Sequence, residues 1–84
     1  MRNVEYSKDA FKALRKMPVN VSANIRSKME QYADNPASLA NNVIQMQGHQ
    51  AYFRLRIGAW RVIFTETIVV VAVIKIAARG SAYD

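Results

Sequence analysis

The chain contains no cysteine, which excludes disulfide staples, thiol nucleophiles and cysteine-ligated zinc. Histidine occurs once, at His49, and the carboxylates are scattered, so neither a metal nor any other cofactor is expected. Long apolar runs are also missing. The longest, Ile68 to Ile74, falls far short of the roughly 20 residues that cross a bilayer. Met1 to Tyr6 hold no apolar stretch of the kind that opens a secretory leader. Acidic residues are few: six Asp+Glu stand against twelve Lys+Arg, for a formal charge of +6. That imbalance points to an anionic partner, whether nucleic acid, an acidic protein or an anionic membrane surface. A soluble, cytoplasmic, basic protein is the expectation.

What is present reads as one packed domain spanning residues 1–84, since 51% of the chain is hydrophobic and no linker or repeat interrupts it. A short strand is expected near Asn3 to Tyr6. Ser7 is a plausible N-cap, and Ala10, Leu14 and Met17 recur behind it at helical spacing, with Phe11 widening the stripe. Pro18 separates this helix from a second, from about Asn20 to Ala33, whose inward side is Val21, Ile25, Met29 and Tyr32. Asp34-Asn35-Pro36 ends it. Strands follow at Val43–Met46, Tyr52–Ile57 and Trp60–Thr65, then a long β-branched run, Ile68–Ile76, of the kind that forms a buried strand. The order β-α-α-β-β-β-β predicts an α+β fold, with two helices on one face of a small, mainly antiparallel, twisted sheet.

The most informative segment is Tyr52 to Phe64. Gly58-Ala59 suits a two-residue type II′ turn, with glycine at the first central position. That turn fixes a register in which Ile57 faces Trp60, Arg56 faces Arg61, Leu55 faces Val62, Arg54 faces Ile63 and Phe53 faces Phe64. Cross-strand partners share a face. One face is therefore wholly apolar and belongs to the core. The other gathers Arg54, Arg56 and Arg61, expected to be exposed, with Tyr52 and Ile63 beside them. Arg56 opposite Arg61 is a like-charge pair that costs stability, and the hairpin holds no carboxylate to relieve it. On this reading Arg61→Ala is neutral or even stabilising. Single exposed strand arginines are ordinary solvated residues. Three on one patch of a basic chain point instead to phosphate, which the planar guanidinium fork fits well. Arg79 and Tyr83 follow the last strand within reach of the same patch.

These residues resemble the RelE/ParE superfamily of type II toxin–antitoxin toxins. The resemblance runs from Val4-Glu5-Tyr6-Ser7 through Ala10 and Leu14, Asn35-Pro36 and Gln47-Gly48, to the hairpin Tyr52–Phe64 and Arg79-Gly80-Ser81-Ala82-Tyr83. It is closer to the RelE branch, whose members are ribosome-dependent mRNA endonucleases that act in the ribosomal A site and so inhibit translation. The resemblance implies an active site of Arg54, Arg56, Arg61, Arg79 and Tyr83. It also implies a metal-free attack of a ribose 2′-OH on the adjacent phosphate, and a cognate antitoxin with an acidic, amphipathic segment in complexes of higher order. The ribosome with its mRNA is the implied target. The alternative is a gyrase inhibitor of the ParE type, which generally lacks the full set, or a degenerate toxin that only binds its antitoxin.

Two departures matter. Well-known nuclease members carry lysines where this chain has Arg54 and Arg56, and often His or Lys where it has Ala78. Arginine does not give up its proton in a protein, so electrostatic stabilisation of the phosphorane, rather than base catalysis, is the expected role of the arginines. His49 reads as a solvated loop residue, with catalytic use the lesser alternative. Lys8, Lys12, Arg15, Lys16, Arg26 and Lys28 read equally well as solvated helix faces or as contacts to ribosomal RNA.

Overall fold

The computed structural model describes residues 2–48 and 51–80. Strand β1 (Asn3–Tyr6) leads into α1 (Lys8–Lys16) and α2 (Val19–Asp34). A 3₁₀ segment (Pro36–Asn42) follows, and then β2 (Val43–Gln45), β3 (Phe53–Ile57), β4 (Trp60–Glu66) and β5 (Val70–Ala78). The sheet order is β1-β5-β4-β3-β2. Only β1 and β5 run parallel; the other neighbours are antiparallel. The expected α+β arrangement is therefore observed, with the 3₁₀ segment as an element that the sequence pattern did not announce.

The core is the apolar hairpin face closed by the helices. Leu55, Val62 and Phe64 of the sheet are fully buried, as are Val71 and Val73 of β5. They form one cluster with Ala10 and Leu14 of α1 and with Ile25, Met29 and Tyr32 of α2. The α1 stripe is narrower than expected. Phe11 remains exposed, beneath the guanidinium groups of Arg15 and Arg26. Ile68 and Val69 are likewise exposed, because the buried run begins only at Val70. The two preceding residues belong to the turn where the Thr67 hydroxyl accepts from the Val69 and Val70 amides.

Strand β5 carries a bulge. Ile63 pairs with Lys75 but Phe64 with Val73, so Ile74 is the extra residue. Strict alternation from Val71 and Val73 would send Lys75 into the core. The inserted residue resets the phase, so Ile76 is buried and Lys75 emerges on the opposite face. Ser7 holds this irregularity in place. Its amide donates to Val73 O (2.8 Å) and its hydroxyl to Ile74 O (2.6 Å). The same hydroxyl accepts from the Ala10 amide (3.0 Å) as the α1 N-cap.

At the far end of the sheet, Arg2 fastens α2. Its guanidinium pairs with Glu66 at 2.6 Å and donates to the C-terminal carbonyls of Tyr32 and Ala33, where a cation meets the negative end of the helix. The Tyr32 hydroxyl donates to the other Glu66 oxygen at 2.8 Å. Burial together with this bond pushes the phenol up to about 12.

Candidate nucleic-acid interface

Gly58 takes φ 57° and Ala59 does not have a positive φ, as a type II′ turn requires. The register that follows matches expectation at every pair, from Ile57 opposite Trp60 to Phe53 opposite Phe64. Arg54, Arg56 and Arg61 consequently share the face away from the helices. All three line one pocket of about 240 Å³, together with Asn41, Asn42 and Ile44.

Arg61 departs from expectation. It is 8% exposed, the buried charged residue of the sheet. Its Nη1 donates to Gly58 O at 2.8 Å and to Trp60 O at 2.9 Å. The reason is local. The II′ turn directs these two carbonyls back over β4, and they solvate the guanidinium in place of water. Arg56, directly opposite, is exposed, and Arg54 is half-buried. The like-charge pair is thus tolerated by giving one member a carbonyl cradle and the other solvent. Arg61→Ala therefore removes two charge-assisted bonds, so the structure predicts a destabilising change where the strand pattern alone predicts a neutral or stabilising one.

Arg79 lies one residue past β5, exposed, with its amide donating to Ala59 O at 2.7 Å. Its backbone is thereby pinned to the hairpin turn beside Arg61, although its side chain is not among those lining the pocket. Tyr83 and His49 lie outside the described residues. Trp60 packs against the core, as its register requires.

Asn41 and Asn42 were missed by the sequence reading. They end the 3₁₀ segment, and the Asn42 amide reaches the Arg56 carbonyl at 3.5 Å. Their signal was spatial: nothing in the run Asn41-Asn42-Val43 says that it will face an arginine sheet. Chemically they matter because arginine side chains only donate, whereas an asparagine Oδ1 accepts. The wall therefore offers donors for a phosphate and acceptors for hydroxyl or amine hydrogens beside it. Among the described residues no three His, Asp or Glu side chains gather as metal ligands. No helix there is long and apolar enough to cross a membrane.

Known proteins share this architecture. The chain superimposes on RelE in the archaeal RelE–RelB complex from Pyrococcus horikoshii with a TM-score of 0.78 at 24% identity, covering 96% of this chain and 98% of that one. Against the intact E. coli RelBE toxin–antitoxin complex the TM-score is 0.75 at 18% identity, over 96% and 99% of the two chains. E. coli YafQ matches at 0.68 and 17% identity over the full length of both. At these identities the likeness establishes the fold. No curated protein sequence matches the chain. The family model for the ParE toxin of the type II toxin–antitoxin system parDE, however, matches residues 4–80. That span runs from the strand before Ser7 to the glycine after Arg79 and includes the whole arginine hairpin, so the chain belongs to the ParE toxin family, within the RelE/ParE superfamily.

Proposed function

We propose that the protein is the toxin of a type II toxin–antitoxin pair and acts as a ribosome-dependent endoribonuclease on mRNA in the A site. The observation that carries this reading is the convergence of Arg54, Arg56 and Arg61 on one pocket. In the reaction, a ribose 2′-oxygen forms a bond to the adjacent phosphorus and the P–O5′ bond breaks. A 2′,3′-cyclic phosphate and a 5′-hydroxyl result. The 2′-OH proton leaves to water or a ribosomal group, because no arginine accepts it, and the leaving oxygen takes one up in turn. Arg54 and Arg56 hold the phosphate, while Arg61, fixed by its carbonyl cradle, directs its remaining N–H donors at the charge that develops on the phosphorane. Arg79, one residue past the last strand, and, on the family resemblance, Tyr83 complete the site, Tyr83 by stacking on a base or touching the 2′-OH.

The cation-rich surface is masked, on this reading, by an acidic amphipathic antitoxin segment that folds on contact. Related toxins solved with RelB or with DinJ support an antitoxin as partner. A second reading, inhibition of DNA gyrase, is favoured by the match to the ParE family model. Primer extension on mRNA after induction separates the two. New 5′ ends at A-site codons support the nuclease; DNA breaks with intact mRNA support the gyrase inhibitor.

A further inference from the structure

The pocket is not the only cationic feature of this face. The bulge at Ile74 turns Lys75 out of the core, and bulges often serve to re-aim a side chain beside a functional site. Lys75 lies in the cross-sheet row Arg54–Ile63–Lys75. It therefore shares the arginine face, two strand spacings or about 10 Å from Arg54. It also lines a groove of about 540 Å³ between α1 and β5, where Lys12 and Lys16 form the opposite rim. The groove exists because β1 pairs only with Val70–Val73 of β5, leaving the rest of that edge to α1.

Lys12 and Lys16 stand at i and i+4, an arrangement of like charges that weakens a helix. Asp9 lines the same groove, yet none of the three lysines makes an ion pair among the described residues. Three ammonium groups gathered at a concave edge, one of them in the same cross-sheet row as Arg54, match a sugar–phosphate backbone, which needs charge and no fixed geometry.

We infer that the Lys12–Lys16–Lys75 groove is a second phosphate-binding subsite, which holds the RNA strand as it leaves the arginine pocket. The inference rests on the nuclease reading, in that the strand's scissile phosphate occupies the pocket. Fluorescence anisotropy with uncleavable 2′-O-methyl RNA tests it, using a trinucleotide that fills the pocket alone and a dodecanucleotide that also reaches the groove. The Lys12→Ala/Lys16→Ala/Lys75→Ala variant is expected to bind the dodecamer on the order of tenfold more weakly at low salt. Its plot of log K against log salt should be shallower by about 2, at roughly 0.7 per lost single-strand phosphate contact. Trinucleotide binding is expected to stay as in the wild type.

A Lys12→Gln/Lys16→Gln variant leaves the sheet untouched and is expected to show about two thirds of that change in slope, which guards against a folding defect at Lys75. Unchanged dodecamer affinity and slope in both variants would overturn the inference. So would loss of binding to a polyglutamate peptide with RNA binding intact, since the groove would then serve an acidic protein segment. Arg56→Ala reports separately on the pocket: if trinucleotide binding survives that change, the nuclease reading fails independently of the lysine groove.

Discussion

Removing the Arg61 side chain should damage the fold as well as the chemistry, and the two losses are separable. Its Nη1 makes two short bonds, 2.8 Å to Gly58 O and 2.9 Å to Trp60 O, from a position 8% exposed. Charged hydrogen bonds contribute about 1.5–3 kcal/mol each where the partner is left buried. Gly58 is exposed and Trp60 half-buried, so both carbonyls can turn to water after truncation, and the lower end applies. Relief of the repulsion from Arg56 returns less than about 1 kcal/mol. The net loss for Arg61→Ala is then about 2–3 kcal/mol, a fall in Tm on the order of 10–20 °C for a domain of this size. Arg61→Lys keeps the charge but not the fork, and is expected to fall between the two. Urea melts of the three proteins supply the stability. RNA cleavage on programmed ribosomes, corrected for folded fraction, supplies the chemistry, with a further loss on the order of 10²–10³ expected for Ala. If Arg61→Ala melts at or above the wild-type midpoint, the carbonyl cradle contributes nothing, and the argument that the turn anchors this arginine is wrong.

Ser7→Ala removes both the α1 cap and the bond to the bulge carbonyl, and should cost about 1–2 kcal/mol by denaturant melt. Tyr32→Phe should flatten the alkaline limb of the stability curve. The unfolded phenol titrates near 10 and the folded one near 12, so the unfolded state binds fewer protons across that window and wild-type stability falls as pH rises through it. A Tyr32→Phe curve parallel to wild type would remove Tyr32 as the cause. Asn42→Asp, which sets a carboxylate among the pocket arginines, should leave the melting point within a few degrees of wild type and lower RNA cleavage at least tenfold, because the arginines are then quenched; undiminished cleavage would show that phosphate does not bind there. Antitoxin binding, measured by titration calorimetry, should weaken steadily as salt rises.

The hairpin was legible in the sequence because two independent local signals coincide. Gly58 sets the turn, and the alternation on either side admits one register without burying Arg54 and Arg56. The Ser7 cap was legible for a similar reason, since cap chemistry is confined to a few residues. The exposure of Arg61 was not legible. A strand pattern says which face a side chain joins, whereas burial on that face depends on where a turn sends its carbonyls. The bulge was hidden as well: a run such as Val71-Ala72-Val73-Ile74-Lys75-Ile76 reads as unbroken strand, and only pairing with Phe64 and Ile63 reveals the extra residue. Asn41 and Asn42 reach the pocket through a 3₁₀ segment with no periodic signature of its own. Tyr83 falls outside the described residues, so its part in the site rests on resemblance to the family.

Strand β4 relates two opposite treatments of an arginine. At its C-terminal end, Glu66 receives Arg2 and Tyr32 together. The carboxylate cancels the charge, and the residues it joins are Arg2, immediately before β1, and Tyr32 of α2. Such a pairing serves architecture: it ties three elements and offers no net charge to an outside ligand. At the N-terminal end, Arg61 is held by the neutral carbonyls of Gly58 and Trp60. They satisfy part of the guanidinium without cancelling its charge, so the positive potential persists in the pocket that Arg54 and Arg56 also line. A carboxylate there would cancel the charge on which the proposed phosphate site depends. That Arg56, directly opposite, adds repulsion instead of relief runs the same way. The arrangement around Glu66 serves the fold, and the charge left uncancelled at Arg61 on the same strand is what the proposed phosphate-binding role requires.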